Sequence, residues 1–508
     1  MKKIYAIGVG GSGSKCLESV ISLHALGFYG QDAVLGVLLV DADASNGNSQ
    51  RTNILLDRTI KAHDTFKNGS TRLFKGEVIN YCNWNPLADV SNATNLEGIF
   101  NKPALQYQTP QLGKLFDALY SPEEQVADLG VGFRGRPPIG SIVMSRLELE
   151  IARGPGGGAR NGWQRLYASV QDDLGAGNNQ VIVHFFGSIF GGTGASGIPT
   201  LAKLLANQLT DQGLRTNIRI NASLLLPYFG FEKPDDGNQT VYAETRFFAL
   251  NTQAALQYLT EQAHGSFDRI YLIGDHDKKQ YRSFTGGTNQ RNDAHFVELY
   301  AGLAINHGFQ NFGTHGESKG SYISRTSSER LIWDDLPDAD QTWKQLSQGV
   351  KFAYAWLYNF SLELQDAKTL GSCNFAKGAP WFHYYFSLRG GKDGKPDVSS
   401  NSEVEHNKIL TFWSYYFLVW IEQISTSHRG VGIWFRLPKL NATTVSKEFN
   451  PDAPRQYHER LDELVIDENR PLDCLDSIKN DLADQKLSNQ FGVIGLAHNL
   501  FQLLGGSN

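Results

Sequence analysis

The chain has 508 residues, room for two to three domains and a large core. Apolar residues make up 41%, charged residues 19% and aromatic residues 11%, the composition of a soluble globular protein, which argues against a disordered or fibrous chain. A net charge of −5 gives no basis for direct nucleic-acid binding.

Lys2 and Lys3 precede an apolar run that glycines interrupt almost at once, so residues 3–9 read as a first strand and not as a signal peptide. A glycine loop follows, with Gly8, Gly10, Gly11 and Gly13 leading into a helix over about 14–24. Residues 33–40 form a second strand ending in Asp41 and Asp43, and this βαβ start predicts a parallel sheet with ligand at the strand C-termini. Residues from about 45 to 135 are rich in Asn, Gly and Thr and read as an insertion on the sheet's edge. A further glycine loop at 153–160 contains Gly157, Gly158 and Arg160 and opens a helix reaching Leu174. Strand 181–186 then runs into Gly191, Gly192, Thr193, Gly194, Ala195, Ser196 and Gly197, with a helix expected over about 198–209. Strands at 217–226 and 268–274, a helix at 243–259 and a helix from about Asp293 past Ala304 complete this half. Beyond about 320 aromatic, helical patterns dominate. The apolar run 409–421 is too short for a membrane span and reads as a buried helix. Cys16, Cys82, Cys373 and Cys474 are widely spaced without a C-x-x-C pair, as expected of reduced structural thiols in a cytoplasmic protein.

Glycine loops at successive strand ends carry the chemistry. Such a loop brings backbone N–H groups against a phosphate, and the helix N-terminus behind it favours negative charge. Gly8, Gly10 and Gly13 make a G-x-G-x-x-G, by itself shared with dinucleotide sites. It is not a Walker A loop, because Ser14 comes first and Lys15 one place late. Asp41 and Asp43 suit a ribose contact, water-mediated Mg²⁺ or a plain turn. No metal-ligating cluster is read, and His295 and His307 lie too far apart on their helix to form one.

Taken in order, these loops resemble the tubulin/FtsZ family of GTPases. Gly10, Gly11, Ser12, Gly13 and Ser14 look like its first phosphate loop, Asp41 and Asp43 its acidic second loop, and Gly157, Gly158 and Arg160 its γ-phosphate-sensing third loop. The run from Gly191 to Ser196 is similar to the tubulin signature, and Pro227 to Glu232 to a P-F-x-F-E run. Asn292 and Asp293 match the guanine-reading place at the start of the next helix. The resemblance covers roughly residues 1–310 and implies a parallel-sheet, Rossmann-like α/β GTPase domain over 1–320, followed by a largely helical C-terminal domain over 321–508. It further implies GTP or GDP with Mg²⁺, and self-assembly into filaments, with the C-terminal region open to a protein partner.

The chain departs from the family at three places. Ala195 and Ser196 displace the last signature glycine to 197, and Lys203 stands where FtsZ has a ribose-binding glutamate. No N-x-D-x-x-D loop follows the long helix; Asp334, Asp335, Asp338 and Asp340 are the nearest acidic cluster, so no catalytic residue is assigned. Two alternatives stay open: a nucleotide-sensing module that does not polymerise, and an NAD-binding Rossmann oxidoreductase.

Overall fold

Strand β1 (Lys2–Val9) sends alternate side chains to opposite faces, as the period of a strand requires. Ile4 and Ala6 join one buried cluster, and Tyr5, Ile7 and Val9 join another. A strand buried on both faces belongs in the middle of a parallel sheet. The computed structural model describes the chain except residues 88–92, 146–160, 233–242, 283, 285, 314–329, 429–431, 439–460, 467–473, 484–489 and 506–508.

The other main elements of the first half follow in chain order, leaving aside four short helices between Leu96 and Val126. They are α1 (Gly10–Ala25), β2 (Val34–Val40), α2 (Gly47–Phe66), β3 (Glu77–Trp84), α3 (Pro137–Met144), α4 (Gly162–Gly175) and β4 (Gln180–Ser188). Then come α5 (Gly192–Asp211), β5 (Ile218–Leu225), β6 (Phe229–Phe231), α6 (Phe248–Tyr258), β7 (Arg269–Ile273), β8 (Lys279–Tyr281) and α7 (Phe296–Gln310). Six strands form one sheet in the order β3-β2-β1-β4-β5-β7, with every neighbouring pair parallel. Strands β6 and β8 pair as a small separate ribbon. This is the doubly wound α/β architecture that the alternating elements predict. Strand order reverses between β1 and β4, which makes their C-terminal ends a topological switch point.

Helices α1, α2 and α7 cover one face, and α3, α4 and α5 the other. Residues 45–135, expected to be an insertion, supply α2 and the edge strand β3. Arg51 of α2 forms a buried bidentate pair with Glu18 of α1, at 2.6 and 2.9 Å. Helix α5 starts about six residues before the expected 198, so the signature glycines form its first turn. They sit there because a side chain does not fit: a Cβ on Gly194 would lie 2.3 Å from the Ser188 carbonyl oxygen.

The C-terminal half is helical, as expected, and its longest helices are α8 (Ala339–Ala355), α9 (Asn401–Ser425) and α10 (Gly492–Leu504). Their buried faces join the same cluster as α1, α2 and α7. Trp413, Phe417 and Trp420 of the aromatic run are core, while Phe412 packs under the Arg58 guanidinium. The proposed division near 320 falls within 314–329, outside the described residues. All four cysteines are unpaired, and among the described residues no helix is long and apolar enough to cross a membrane.

Candidate functional site

A cleft of about 940 Å³, counting the part open to solvent, lies at the switch point between β1 and β4. Its wall is built from chain segments far apart in sequence. Gly10, Gly11 and Ser12 follow β1, Asp41 and Asp43 follow β2, and Gly191, Gly192, Thr193 and Gly194 follow β4. Gly10 has φ +72, a conformation that disfavours any side chain, and a Cβ there would meet the Thr193 side chain at 3.1 Å. The first and signature loops therefore touch. Asn292 also lines the cleft.

Several residues expected at the site do not line it. Gly13 is a packing glycine, since a Cβ on it would stand 2.5 Å from the Phe186 carbonyl oxygen. Ser14 bonds Ser49 at 2.8 Å, and Ser196 donates to the Gly192 carbonyl at 2.8 Å, so the structure engages both hydroxyls within the helix packing. Ala195 is buried inside α5. Glu232 is exposed beyond β6, and its backbone N–H donates to the Tyr281 carbonyl. Asp293 points to solvent beside Lys279 at 3.4 Å. Gly157, Gly158 and Arg160 lie outside the described residues.

Other lining residues were not read from the sequence. Residues 131–135 form a wall of their own, and a Cβ on Gly192 would meet Phe133 at 2.9 Å. Asn251 of α6 donates to the carbonyls of Gly135 and Phe190 at 3.1 and 3.0 Å, tying that wall to the end of β4. Its sequence signal is Gly130, Gly132 and Gly135 just ahead of the prolines that open α3. Phe284, Gly286 and Gln290 close the cleft from the Asp43 side, announced only by the glycine pair 286–287. Phe190, Phe229, Phe231 and Phe248 make an apolar end, and Asn46 and Asn48 line the cleft from α2.

The two aspartates differ in what they hold. Asp43 Oδ1 accepts from the Ser45 backbone N–H and hydroxyl, and its Oδ2 accepts from the Gly287 N–H at 2.7 Å. It is a clamp between two loops. Asp41 Oδ1 accepts from the Asp43 N–H at 3.2 Å, but its Oδ2 is buried with no hydrogen-bond partner among the described residues. Burial lifts the Asp41 carboxyl to about 7, and the neighbouring charge of Asp43 adds to the shift.

Behind this surface, Lys15 Nζ lies 2.5 Å from Glu298 Oε1, with both side chains almost fully buried. Tyr228 donates to the same Glu298 oxygen at 2.6 Å, and the His295 N–H donates to Glu298 Oε2 at 2.9 Å. Burial pushes the Glu298 carboxyl up, and Lys15 and Tyr228 pull it back. Rings of Tyr228, Phe229 and Tyr281 surround the ammonium at 5.5 to 6.0 Å. Burial and the nearby Lys15 charge push His295 well below the usual imidazole range, and its Nδ1 accepts the Val297 N–H at the start of α7.

No family model matches the chain, and no curated protein matches it. Among solved structures it is similar to CetZ2 from Haloferax volcanii, described as a GTPγS-bound protofilament. The alignment covers 61% of this chain and 59% of that one, at 15% identity and a TM-score of 0.26. Chemically, the cleft pairs backbone donors at helix N-termini with one orphaned carboxylate oxygen and an aromatic end. Those are the needs of a ligand with an anionic tail and a flat ring.

Proposed function

We propose that this chain is a tubulin-like guanine-nucleotide-binding protein that takes GTP or GDP with Mg²⁺ into the cleft and self-assembles. The observation that carries the reading is the convergence of residues 10–12, 131–135 and 191–194 on one cleft at the strand-order reversal. Isolated glycine loops serve turns and packing as well; this convergence, beside an aromatic end, favours a nucleotide.

Mg²⁺ suits the donors present. Mg²⁺ characteristically takes one or two carboxylates and completes its shell with phosphate and water. The orphaned Asp41 Oδ2 fits that need, whereas Asp43 is engaged by Ser45 and Gly287. When bound, the metal neutralises phosphate charge. The backbone N–H groups of the loops orient the tail, and Phe229, Phe231 and Phe248 keep water from the ring.

Hydrolysis needs a water-activating group. Asp338 accepts from Gln310 at the far end of α7, roughly 22 Å along that helix from its cleft end. Asp334, Asp338 and Asp340 are exposed there and do not line the cleft. A head-to-tail contact that seats the far end of one copy's α7 on the cleft of the next would bring them to a nucleotide, and such a contact repeats into a filament.

The test incubates purified protein and Mg²⁺ with GTP, GDP or a non-hydrolysable GTP analogue, and follows sedimentation with phosphate release. GTP-dependent pelleting with phosphate release is the expected result. Binding without either would leave a nucleotide-sensing module. No binding of GTP or GDP by calorimetry, with a melting shift for NAD, would replace the reading with a dinucleotide site.

A further inference from the structure

Asn46 and Asn48 line the cleft, yet neither belongs to a glycine loop. Both are more than nine-tenths buried, with exposures of 8% and 3%. Their amide orientation follows from what the oxygens do. Asn46 Oδ1 accepts the Asn48 N–H at 2.9 Å and caps α2, and Asn48 Oδ1 accepts the Asn292 N–H at 2.9 Å. An amide whose carbonyl is engaged in this way presents its NH₂ in the other direction. Neither NH₂ donates to a group among the described residues, and neither nitrogen is among the sealed, unpartnered atoms of the interior. A Cβ placed on Gly11 would stand 3.3 Å from both Nδ2 atoms. Two side-chain donors thus face the backbone of the first glycine loop, at the N-terminus of a 20-residue helix.

That setting holds donors and favourable dipole, and it asks for a group that only accepts. Guanine's N7/O6 edge also offers acceptors alone but is neutral, and its other edge carries donors, whereas a phosphoryl group offers acceptors together with the negative charge that a helix N-terminus favours. We infer that Asn46 and Asn48 form a phosphate subsite, a neutral amide clamp that grips a phosphoryl oxygen from the α2 side while residues 10–12 grip it from the α1 side. The inference rests on the nucleotide reading of the cleft and names the residues that hold the anionic tail.

Asn46→Asp and Asn48→Asp test it. Each keeps the accepting oxygen, and an aspartate suits a helix N-terminus, so the thermal midpoint stays within a few degrees. Each removes a donor and turns a negative charge toward the tail. Calorimetry with Mg²⁺ compares guanosine, GDP, GTP and inorganic tripolyphosphate. Both variants are expected to bind the three phosphate-bearing ligands roughly tenfold to hundredfold more weakly, with guanosine unchanged within about twofold. Unchanged affinity for GTP and tripolyphosphate overturns the clamp. Guanosine weakened as much as GDP also overturns it, because the amides would then read the base. Should the wild type bind none of guanosine, GDP and GTP, the nucleotide reading falls, and tripolyphosphate decides the clamp alone. Binding that Asn48→Asp abolishes upholds it, and no binding overturns it.

Discussion

Beneath the cleft, Lys15, Glu18, Arg51 and Glu298 are buried as two ion pairs; over much of its surface, glycine backbone, amides and hydroxyls face the opening instead. The buried pairs act as bolts. Lys15 joins α1 to α7, and Arg51 joins α2 to α1 while its Nη1 donates to the Asn292 carbonyl ahead of α7. Two of these cations are therefore committed to holding helices in register around the opening. The surface is left to bind with N–H groups, amides, the Arg134 of the 131–135 wall and whatever cation the ligand brings.

Breaking a bolt should give the largest effect. Glu298→Ala leaves the Lys15 ammonium buried without its carboxylate, at a cost of about 3–5 kcal/mol. Urea unfolding of the free protein measures it. The double variant Lys15→Met with Glu298→Ala should recover much of that loss, since an uncompensated charge costs more than a missing pair. A double variant as unstable as the single one would show that the loss does not come from the stranded Lys15 charge.

The glycines sharpen the same comparison at a smaller scale. Gly13 belongs to the floor: alanine there meets the Phe186 backbone oxygen at 2.5 Å, and about 1–3 kcal/mol of stability should be lost. Gly11 belongs to the surface: alanine there meets only the amide ends of Asn46 and Asn48 at 3.3 Å. Gly11→Ala should keep stability within about 1 kcal/mol while weakening GTP binding severely, because the methyl fills the gap between loop and clamp. Equal destabilisation by both would erase the distinction.

This contrast also explains what the sequence could disclose. Strands β1, β2, β4, β5 and β7 are largely apolar and bounded by turn residues, so they and the loops after β1 and β4 were legible, whereas β3, with Glu77, Asn80 and Asn83, was not. Helix α2 was not, because its buried positions include Asn48, Ser49, Arg51, Thr52 and His63, and polar residues hide an apolar stripe. The start of α5 was misplaced because Gly192, Gly194 and Gly197 are poor helix formers that tertiary contacts hold in place. The wall at 131–135 sits among short helices with little periodicity, so only its glycine spacing marked it. Which of the two aspartates stays available could not be read from spacing. It depends on Ser45 and Gly287 reaching Asp43 and leaving Asp41 Oδ2 alone.

That last difference gives the subtlest test. In the free protein burial lifts Asp41 to about 7, against an ordinary value of 3.8 in the unfolded chain. The folded state therefore holds the proton more tightly. The resulting stability is full below the ordinary carboxyl value and lost as pH rises toward and through about 7. Asp41→Asn should flatten this slope, so the variant gains on the wild type progressively from pH 5.5 to pH 8, as thermal melts without ligand would show. Mg²⁺-dependent nucleotide binding should run the other way, because the metal needs the ionised carboxylate. Wild-type affinity should fall about tenfold from pH 8 to pH 6, as expected one unit below the carboxyl's titration, while Asp41→Asn binds weakly and evenly at both. A wild-type affinity flat across that range would mean that Asp41 is already ionised or holds no metal.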